Sequence, residues 1–277
     1  MSPAPTPAPA PGPSRRFDEL TDPEIAEALA RSPRVILPMG SVEQHGPHLP
    51  TGTDFFAATA IALEVAEHVD ALVLPLCPLG VTPMHMPYPG TVSLRPGTLQ
   101  DVVIDIGSSL AAHGGQEFVI LNWHEGNIPT LALAAEQLHR EIGLAVVVVQ
   151  ACYVAEERFG PRAGGLTHGG KIETWSVLCC RPDLVHLDRA AGSGDRQRGE
   201  LVDQLRRDRS FQPMLTDVRT MSATGWYGDP AGATQDEAKV FVAEIGADIA
   251  ARLDGVLQAL ATVQPGRQPG RQPGGSS

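Results

Sequence analysis

Residues 34–69, RVILPMGSVEQHGPHLPTGTDFFAATAIALEVAEHV, decide the fold. The apolar run RVILP predicts a buried strand, and TDFFAATAIALEVAEHV predicts a helix capped by Thr53. Between them lies a Gly/Pro-punctuated loop carrying Glu43, His45, His48 and Asp54. Strand, polar loop and helix in that order open a βα unit, and the pattern recurs. ALVLPL is the next expected strand, TLQDVVIDIGSSLAAHGG a helix ending at Gly114, and EFVILN a strand. IPTLALAAEQLHREIG then reads as a helix and LAVVVVQ as a strand. Continuous apolar strands alternating with amphipathic helices predict a single-domain α/β layered fold with a mostly parallel sheet flanked by helices.

Outside this core, TDPEIAEALAR predicts a short helix with Thr21 as N-cap and Pro23 in its first turn. Residues 152–235 are less regular, with IETWSVLC as their helix, and TQDEAKVFVAEIGADIAARLDGVLQALA is an amphipathic closing helix. The Pro/Ala-rich residues 1–16 and the tail at 264–277, QPGRQPGRQPGGSS, offer too little apolar surface to offset ordering, so both are expected to be disordered around a 17–263 domain.

A formal net charge of −11 over 277 residues argues against a nucleic-acid or anionic-membrane partner. The expected substrate is a small molecule, neutral or cationic. Cys77, Cys152, Cys179 and Cys180 show no CxxC pair and read as mostly buried thiols of a reducing compartment. With no secretory pattern at the N-terminus and no apolar run of membrane-span length, the expected location is the cytoplasm.

Parallel sheets place ligands at the carboxyl ends of their strands. Here the loop after the first strand carries Glu43, His45 and Asp54, the loop after the second His85, and the loop after the third His124. Mixed carboxylate and imidazole donors suit zinc, manganese or ferrous iron better than magnesium or calcium. Glu43 and His45 are two apart, so on extended backbone both side chains point the same way. Asp54, at a helix start, has two oxygens with which to bridge two ions. Ions about 3.5–4 Å apart can share a bridging hydroxide while one of them polarises a carbonyl. Hydrolysis of an amide-type C–N bond is therefore the expected reaction, with His168 in GGLTHGG as the group that moves a proton to the leaving nitrogen. GGLTHGG lacks the GK[ST] ending of a phosphate loop. His68, His113, His139 and His186 read as ordinary surface or core residues.

Four segments, GSVEQHGPHLPTGTD, PYPGTVSL, NWHEGN and HGGKIET, resemble in order and spacing the motifs of the creatininase (creatinine amidohydrolase) family. The resemblance extends to GDPAGATQDEA before the last helix. It implies a metallohydrolase with two divalent ions, zinc or manganese, assembled as a homo-oligomer, often a homohexamer. It further implies Glu43, His45, Asp54, His124 and Glu173 as metal ligands, with Asp54 bridging, and His168 as the catalytic histidine. His85, Tyr88, Trp123, Glu125 and Tyr153 are the expected substrate contacts.

Three departures bear on specificity. Creatinine-hydrolysing members have a glutamate two positions after the motif histidine, where this chain has Gly126, its Glu125 standing one position earlier. They place a tryptophan before the catalytic histidine, in a segment that here reads RAGGLT, and Met84 replaces a usual acidic residue. The leading expectation is an amidohydrolase acting on a cyclic amide or formamide other than creatinine. The alternatives are a metallopeptidase trimming a short peptide, similar to the mycofactocin precursor peptidase, and a non-catalytic metal-binding scaffold. A closed pocket with aromatic walls favours the first, an open groove the peptidase.

Overall fold

Among the described residues, four parallel strands form the central sheet, in the order β2 (Leu72–Val73), β1 (Arg34–Met39), β3 (Glu117–Asn122), β4 (Ala145–Gln150). The computed structural model describes residues 14–75, 79–191, 196–208, 210–211 and 214–263. Residues 1–13 and 264–277 of the two expected tails, and Cys77, lie outside them.

β1 pairs with β3 from Arg34↔Glu117 to Met39↔Asn122, and β3 with β4 from Glu117↔Ala145 to Asn122↔Gln150. Three strands therefore end level, and the loops that follow them emerge at one edge. Along β1, Ile36 packs into the layer beneath α2 (Thr53–Val69), α5 (Ala151–Ala163), α6 (Lys171–Leu178) and α8 (Gln235–Val263). Val35, Leu37 and Met39 face the layer beneath α1 (Asp22–Arg31), α3 (Pro96–Ala112) and α4 (Ile128–Ile142). β3 divides likewise, Val119 and Leu121 against Phe118 and Ile120. Apolar burial on both faces is why these strands read as unbroken hydrophobic runs.

Several local expectations shift. The second strand is two residues long, since only Leu72 and Val73 pair with β1 and Pro75 has no N–H to extend the ladder. Thr53 is the first residue of α2, with Gly52 in the cap position; its hydroxyl donates back to the Pro50 carbonyl at 2.8 Å. α3 opens at Pro96, ahead of the expected Thr98, as suits a proline in a first turn. The segment expected to be irregular begins with α5, which follows β4 without a loop, and holds a further helix, α7 (Arg196–Arg207). Pro161, inside α5, and the polar composition of α7 obscured both.

At the N-terminus, Val73 N–H donates to the Arg15 carbonyl at 2.8 Å and the Arg15 guanidinium pairs with Asp70. Residues 14–16 thus pack on the sheet edge instead of belonging to a disordered tail. The thiols are less buried than expected: Cys152 is buried, Cys179 half-buried and Cys180 exposed. Among the described residues no helix is long and apolar enough to cross a membrane.

One glycine sets the geometry of the active edge. A Cβ at Gly40 would lie 2.6 Å from the backbone carbon and oxygen of Asp54. Only glycine lets the end of β1 run against the first turn of α2, which seats Asp54 beside the 41–45 loop.

Candidate metal centre

Glu43 and His45 leave β1 on a loop held by Glu43 N–H to Thr51 O at 2.9 Å and by Val92 N–H to Val42 O at 2.9 Å. Asp54 sits in the first turn of α2, His124 follows β3, and Glu173 lies in the first turn of α6. Two buried amides tie the loops together. Asn127 Nδ2 donates to Gly40 O at 2.9 Å while its Oδ1 accepts from Val81 N–H at 2.8 Å, and Asn122 Nδ2 donates to His124 O at 2.7 Å. The loops after β1, β2 and β3 are fixed to one another by these groups.

The five side chains sort into two groups that share one carboxylate. His124 Nδ1 lies 3.1 Å from Asp54 Oδ2 and 3.4 Å from Glu43 Oε2. His45 Nε2 lies 3.2 Å from Asp54 Oδ1 and 3.7 Å from Glu173 Oε2. Asp54 therefore presents one oxygen to each imidazole. Both rings have their other nitrogen on a backbone carbonyl, His124 Nε2–H on Val81 O and His45 Nδ1–H on Glu43 O, each at 3.1 Å. Those bonds orient the rings so that the inner nitrogens offer lone pairs to a metal ion once each ring gives up its second proton. Each carboxylate also has a donor behind it: Thr82 Oγ1 to Glu43, Ser41 Oγ to Asp54 at 2.9 Å, and Gly169 N–H to Glu173.

All five residues are buried, and His45 Nε2 has no hydrogen-bond partner among the described residues. Three carboxylates so placed demand positive charge. Burial disfavours a charged His45, yet Glu173 and Asp54 outweigh it and hold the ring well above the usual histidine range. His124 is pushed up to about 9, against burial, by Glu43 and Asp54. Asp54 is held low, against burial, by His45 and His124. Protons on the imidazoles do here what a cation does better. The donor atoms of Glu43, His45 and Asp54 lie within 4.8 Å of one another, close enough to hold an ion. Carboxylate and imidazole donors with fixed ring orientations and supporting hydrogen bonds fit divalent transition ions.

His85 and His168 stand beside this centre. Their rings are 4.6 Å apart, and His168 is 4.3 Å from His45, measured between centroids. His168 Nε2–H donates to Gln44 O at 2.7 Å, so Nδ1 carries the lone pair and faces Glu43 Oε1 at 4.0 Å. The ring is pushed down to about 3 by burial first, then by His45 and His85, and is neutral at ordinary pH. The Gln44 amide donates to Gly225 O at 2.6 Å and to His85 Nδ1 at 3.1 Å. Gln44 so holds both histidines, a role its place in the EQH triplet signalled only by adjacency.

These groups floor a cavity of about 410 Å³. Of the expected substrate contacts, His85, Trp123, Glu125 and Tyr153 line it, while Tyr88 does not. The Tyr88 hydroxyl donates to Ala223 O at 2.7 Å and its ring packs against Val218, Met221 and Tyr227. Trp123 is almost wholly buried, edge-on to Phe241. Glu125 is engaged by Arg207, whose Nε donates to Oε1 at 2.8 Å, with Arg206 at 3.7 Å. Arg206, Arg207 and Asp203, all on α7, had no place in the sequence reading, because nothing local to RQRGELVDQLRR points at a cavity. Gly126 cannot carry a glutamate in this conformation: a Cβ there would lie 2.3 Å from Val81 O and 2.5 Å from His124 Nε2.

Known proteins share this arrangement of chain. A mycofactocin precursor peptide peptidase from Mycobacterium ulcerans is 32% identical over 233 residues, covering 80% of this chain and 84% of its own. A creatinine amidohydrolase from Pseudomonas putida is 34% identical over 191 residues, covering 62% and 74%. Among solved structures, a zinc–zinc form of a creatininase mutant superposes with a TM-score of 0.69 at 27% identity, covering 92% of this chain and all of its own. A manganese creatininase gives 0.70 at 25%, covering 91% and all. The creatininase profile, described as creatinine amidohydrolase, matches residues 18–253. A match over nearly the whole described domain, together with a common backbone, shows that this chain belongs to the creatininase family.

Proposed function

We propose that the protein is a two-metal peptidase that hydrolyses a C–N bond near the end of a short peptide. Metal-dependent C–N hydrolysis is the coarser statement, and it rests on the family and on the clustered donors. The observation that carries the two-metal reading is the division of the buried side chains into two groups that share Asp54. Glu43, Asp54 and His124 would hold one ion, and His45, Asp54 and Glu173 the other. Zinc and manganese are the first candidates, since the superposable creatininases are zinc–zinc and manganese forms.

Two such ions, when bound, supply Lewis acidity toward a carbonyl and lower the pKa of water. The chain's own residues do the rest. His168, kept neutral and held by Gln44 O, accepts a proton at Nδ1 from the attacking water and returns it to the leaving nitrogen. Thr82, Ser41 and the Gly169 N–H keep the three carboxylates oriented. Asn122 and Asn127 keep the three loops from drifting apart.

A peptide is favoured over the cyclic amide or formamide expected first. The relative with a peptidase name spans more of the chain than the creatinine amidohydrolase does. The cavity is bordered by Met84, Leu215, Val218 and Met221 as well as by Trp123, Tyr153 and Tyr227, a mixed lining and not the wholly aromatic enclosure that a small planar amide calls for. The test is amine release by metal-loaded protein from matched panels of short peptides, formamides and cyclic amides, with and without chelator. Chelator-sensitive cleavage of peptides is expected. Turnover confined to cyclic amides or formamides would reinstate the first expectation.

A further inference from the structure

His85 lines the cavity and is 5% exposed, yet one of its ring nitrogens makes no hydrogen bond among the described residues. Hydrogen-bond accounting around Gln44 identifies that nitrogen and its protonation. The Gln44 amide fits one way round: Oε1 accepts from Gly46 N–H at 3.1 Å, and Nε2 donates to Gly225 O at 2.6 Å. Exchanging the two atoms would set oxygen against oxygen and N–H against N–H. The second amide proton has two nitrogens before it, His85 Nδ1 and His168 Nε2, each at 3.1 Å. His168 Nε2 is already a donor, to Gln44 O at 2.7 Å, so the amide proton goes to His85 Nδ1, which must accept it. The His85 ring therefore carries its one proton on Nε2. The oxygen that faces this N–H, Glu43 Oε1, is 3.6 Å away, too far for a hydrogen bond.

The ring is also held still. His85 closes the Pro83–His85 turn, where its N–H donates to Thr82 O at 3.2 Å and Tyr88 N–H donates to His85 O at 3.1 Å. Thr82 in turn donates its hydroxyl to Glu43. A buried N–H without a partner costs free energy, and one fixed in place is ready for an acceptor that arrives with the substrate. His168 is the complement: its Nδ1 carries a lone pair and looks at the same Glu43 oxygen from 4.0 Å. One ring nitrogen of each histidine and a Glu43 oxygen lie within 4.8 Å of one another. A lone pair and an N–H so close can serve the two sides of one reacting carbonyl group, the first facing the attacking water and the second the carbonyl oxygen.

We infer that His85 is a catalytic residue that donates Nε2–H to the carbonyl oxygen of the substrate and holds the negative charge which that oxygen gains when water adds. The inference rests on the hydrolysis proposed above and applies to whichever carbonyl is attacked. His85 neither gains nor loses a proton. The proton of the water passes to His168 Nδ1 and on to the leaving nitrogen, which takes the electron pair of the broken C–N bond. A ring protonated at Nε2 has no lone pair there for a metal ion, so His85 is not a further ligand despite its place beside Glu43.

Two variants separate the donor from the ring: His85→Phe keeps bulk without an N–H, and His85→Gln keeps an N–H. On metal-loaded protein and the short peptide turned over best, His85→Phe should lose about 10²–10³-fold in kcat with KM little changed, as removal of an oxyanion donor does. His85→Gln should recover part of that loss, and both variants should keep the metal content of wild type. Nitrogen-15 NMR should place the His85 proton on Nε2 with and without zinc. An unchanged kcat in His85→Phe, a His85→Gln protein no better than His85→Phe, metal lost with the ring, or a proton on Nδ1 overturns the inference while the peptidase reading stands. If wild type cleaves no peptide, the peptidase reading fails, and binding of a phosphinic tetrapeptide, whose tetrahedral anion imitates the water adduct, decides. Weaker binding by His85→Phe than by wild type and His85→Gln upholds the donor; equal binding, or none, removes it.

Discussion

The floor of the cavity and its outer wall are held together by different forces. On the floor, every buried carboxylate and imidazole of the centre is oriented by a short neutral contact from backbone or hydroxyl groups, and the loops are cross-stitched by Asn122 and Asn127. On the wall, α7 is held mainly by ion pairs among Asp203, Arg206, Arg207 and Glu125 and by the Tyr227 hydroxyl. Short neutral contacts define positions to the tolerance that catalysis needs. Ion pairs between long side chains hold an element with less positional definition. A floor fixed by short neutral contacts beneath a salt-bridged wall is the division this contrast teaches.

The strongest way to break that contrast is at the shared carboxylate. Asp54→Ala should lose both metal equivalents by elemental analysis, with hydrolysis at background, because each imidazole faces one of its oxygens. Retention of two equivalents would show that the groups are independent. Next in size, His168→Ala should keep its metal and lose about 10²–10⁴-fold in kcat. An equal loss of metal would make it a ligand instead of a proton carrier.

A smaller effect is expected at Gly126. A methyl there meets Val81 O and His124 Nε2, the two ends of one hydrogen bond. Gly126→Ala should cost about 1–3 kcal/mol in denaturant unfolding and weaken metal binding about 10–100-fold. Unchanged affinity would mean that the loop yields more readily than its hydrogen bonds suggest.

The metal-free protein should also show the floor's charge imbalance in its pH dependence. His124 has a folded-state value of about 9 against an ordinary 6.5, and His45 moves in the same direction. A raised value means that the folded state binds the proton more tightly than the unfolded chain does. The stabilisation is complete below about pH 6.5 and vanishes as pH climbs through about 9. Chelated protein should therefore have a lower Tm at about pH 10 than at about pH 7, while saturating zinc should flatten the difference. Zinc binding at neutral pH should release protons, which calorimetry in buffers of different ionisation enthalpy would count. A chelated protein equally stable at both values would disprove the imbalance.

The smallest expected effect lies on the wall. The Tyr153 hydroxyl contacts Glu125 from a half-exposed position. Tyr153→Phe should change stability by no more than about 1 kcal/mol and leave metal content intact. A large loss of metal in that variant would erase the distinction between wall and floor.

Legibility in the sequence follows the same line. The βα repeat and its apolar runs predicted β1, β3, β4 and helices α2, α4, α6 and α8 closely, because strands buried on both faces carry a strong local signal. The expected second strand shrank to two residues and Thr53 gave up the cap, both for reasons of backbone partners that one-dimensional reading does not see. α5 and α7 were missed because Pro161 and a highly polar composition hide helices that tertiary packing stabilises.

By itself, the sequence determined the fold class and the chemical character of the site: dense carboxylates and imidazoles after buried strands need partners wherever the strands go, and parallel topology sends them to one edge. Only the tertiary structure decided which oxygen faces which imidazole, that Gln44 holds His85 and His168, that Tyr88 lies outside the cavity, and that Arg206 and Arg207 close it. Gln44 meets His168 across 124 residues of chain, and Arg207 meets Glu125 across 82. Periodicity and spacing report on neighbours within a few turns, whereas contacts at that separation exist only once the core has folded and brought the two segments together.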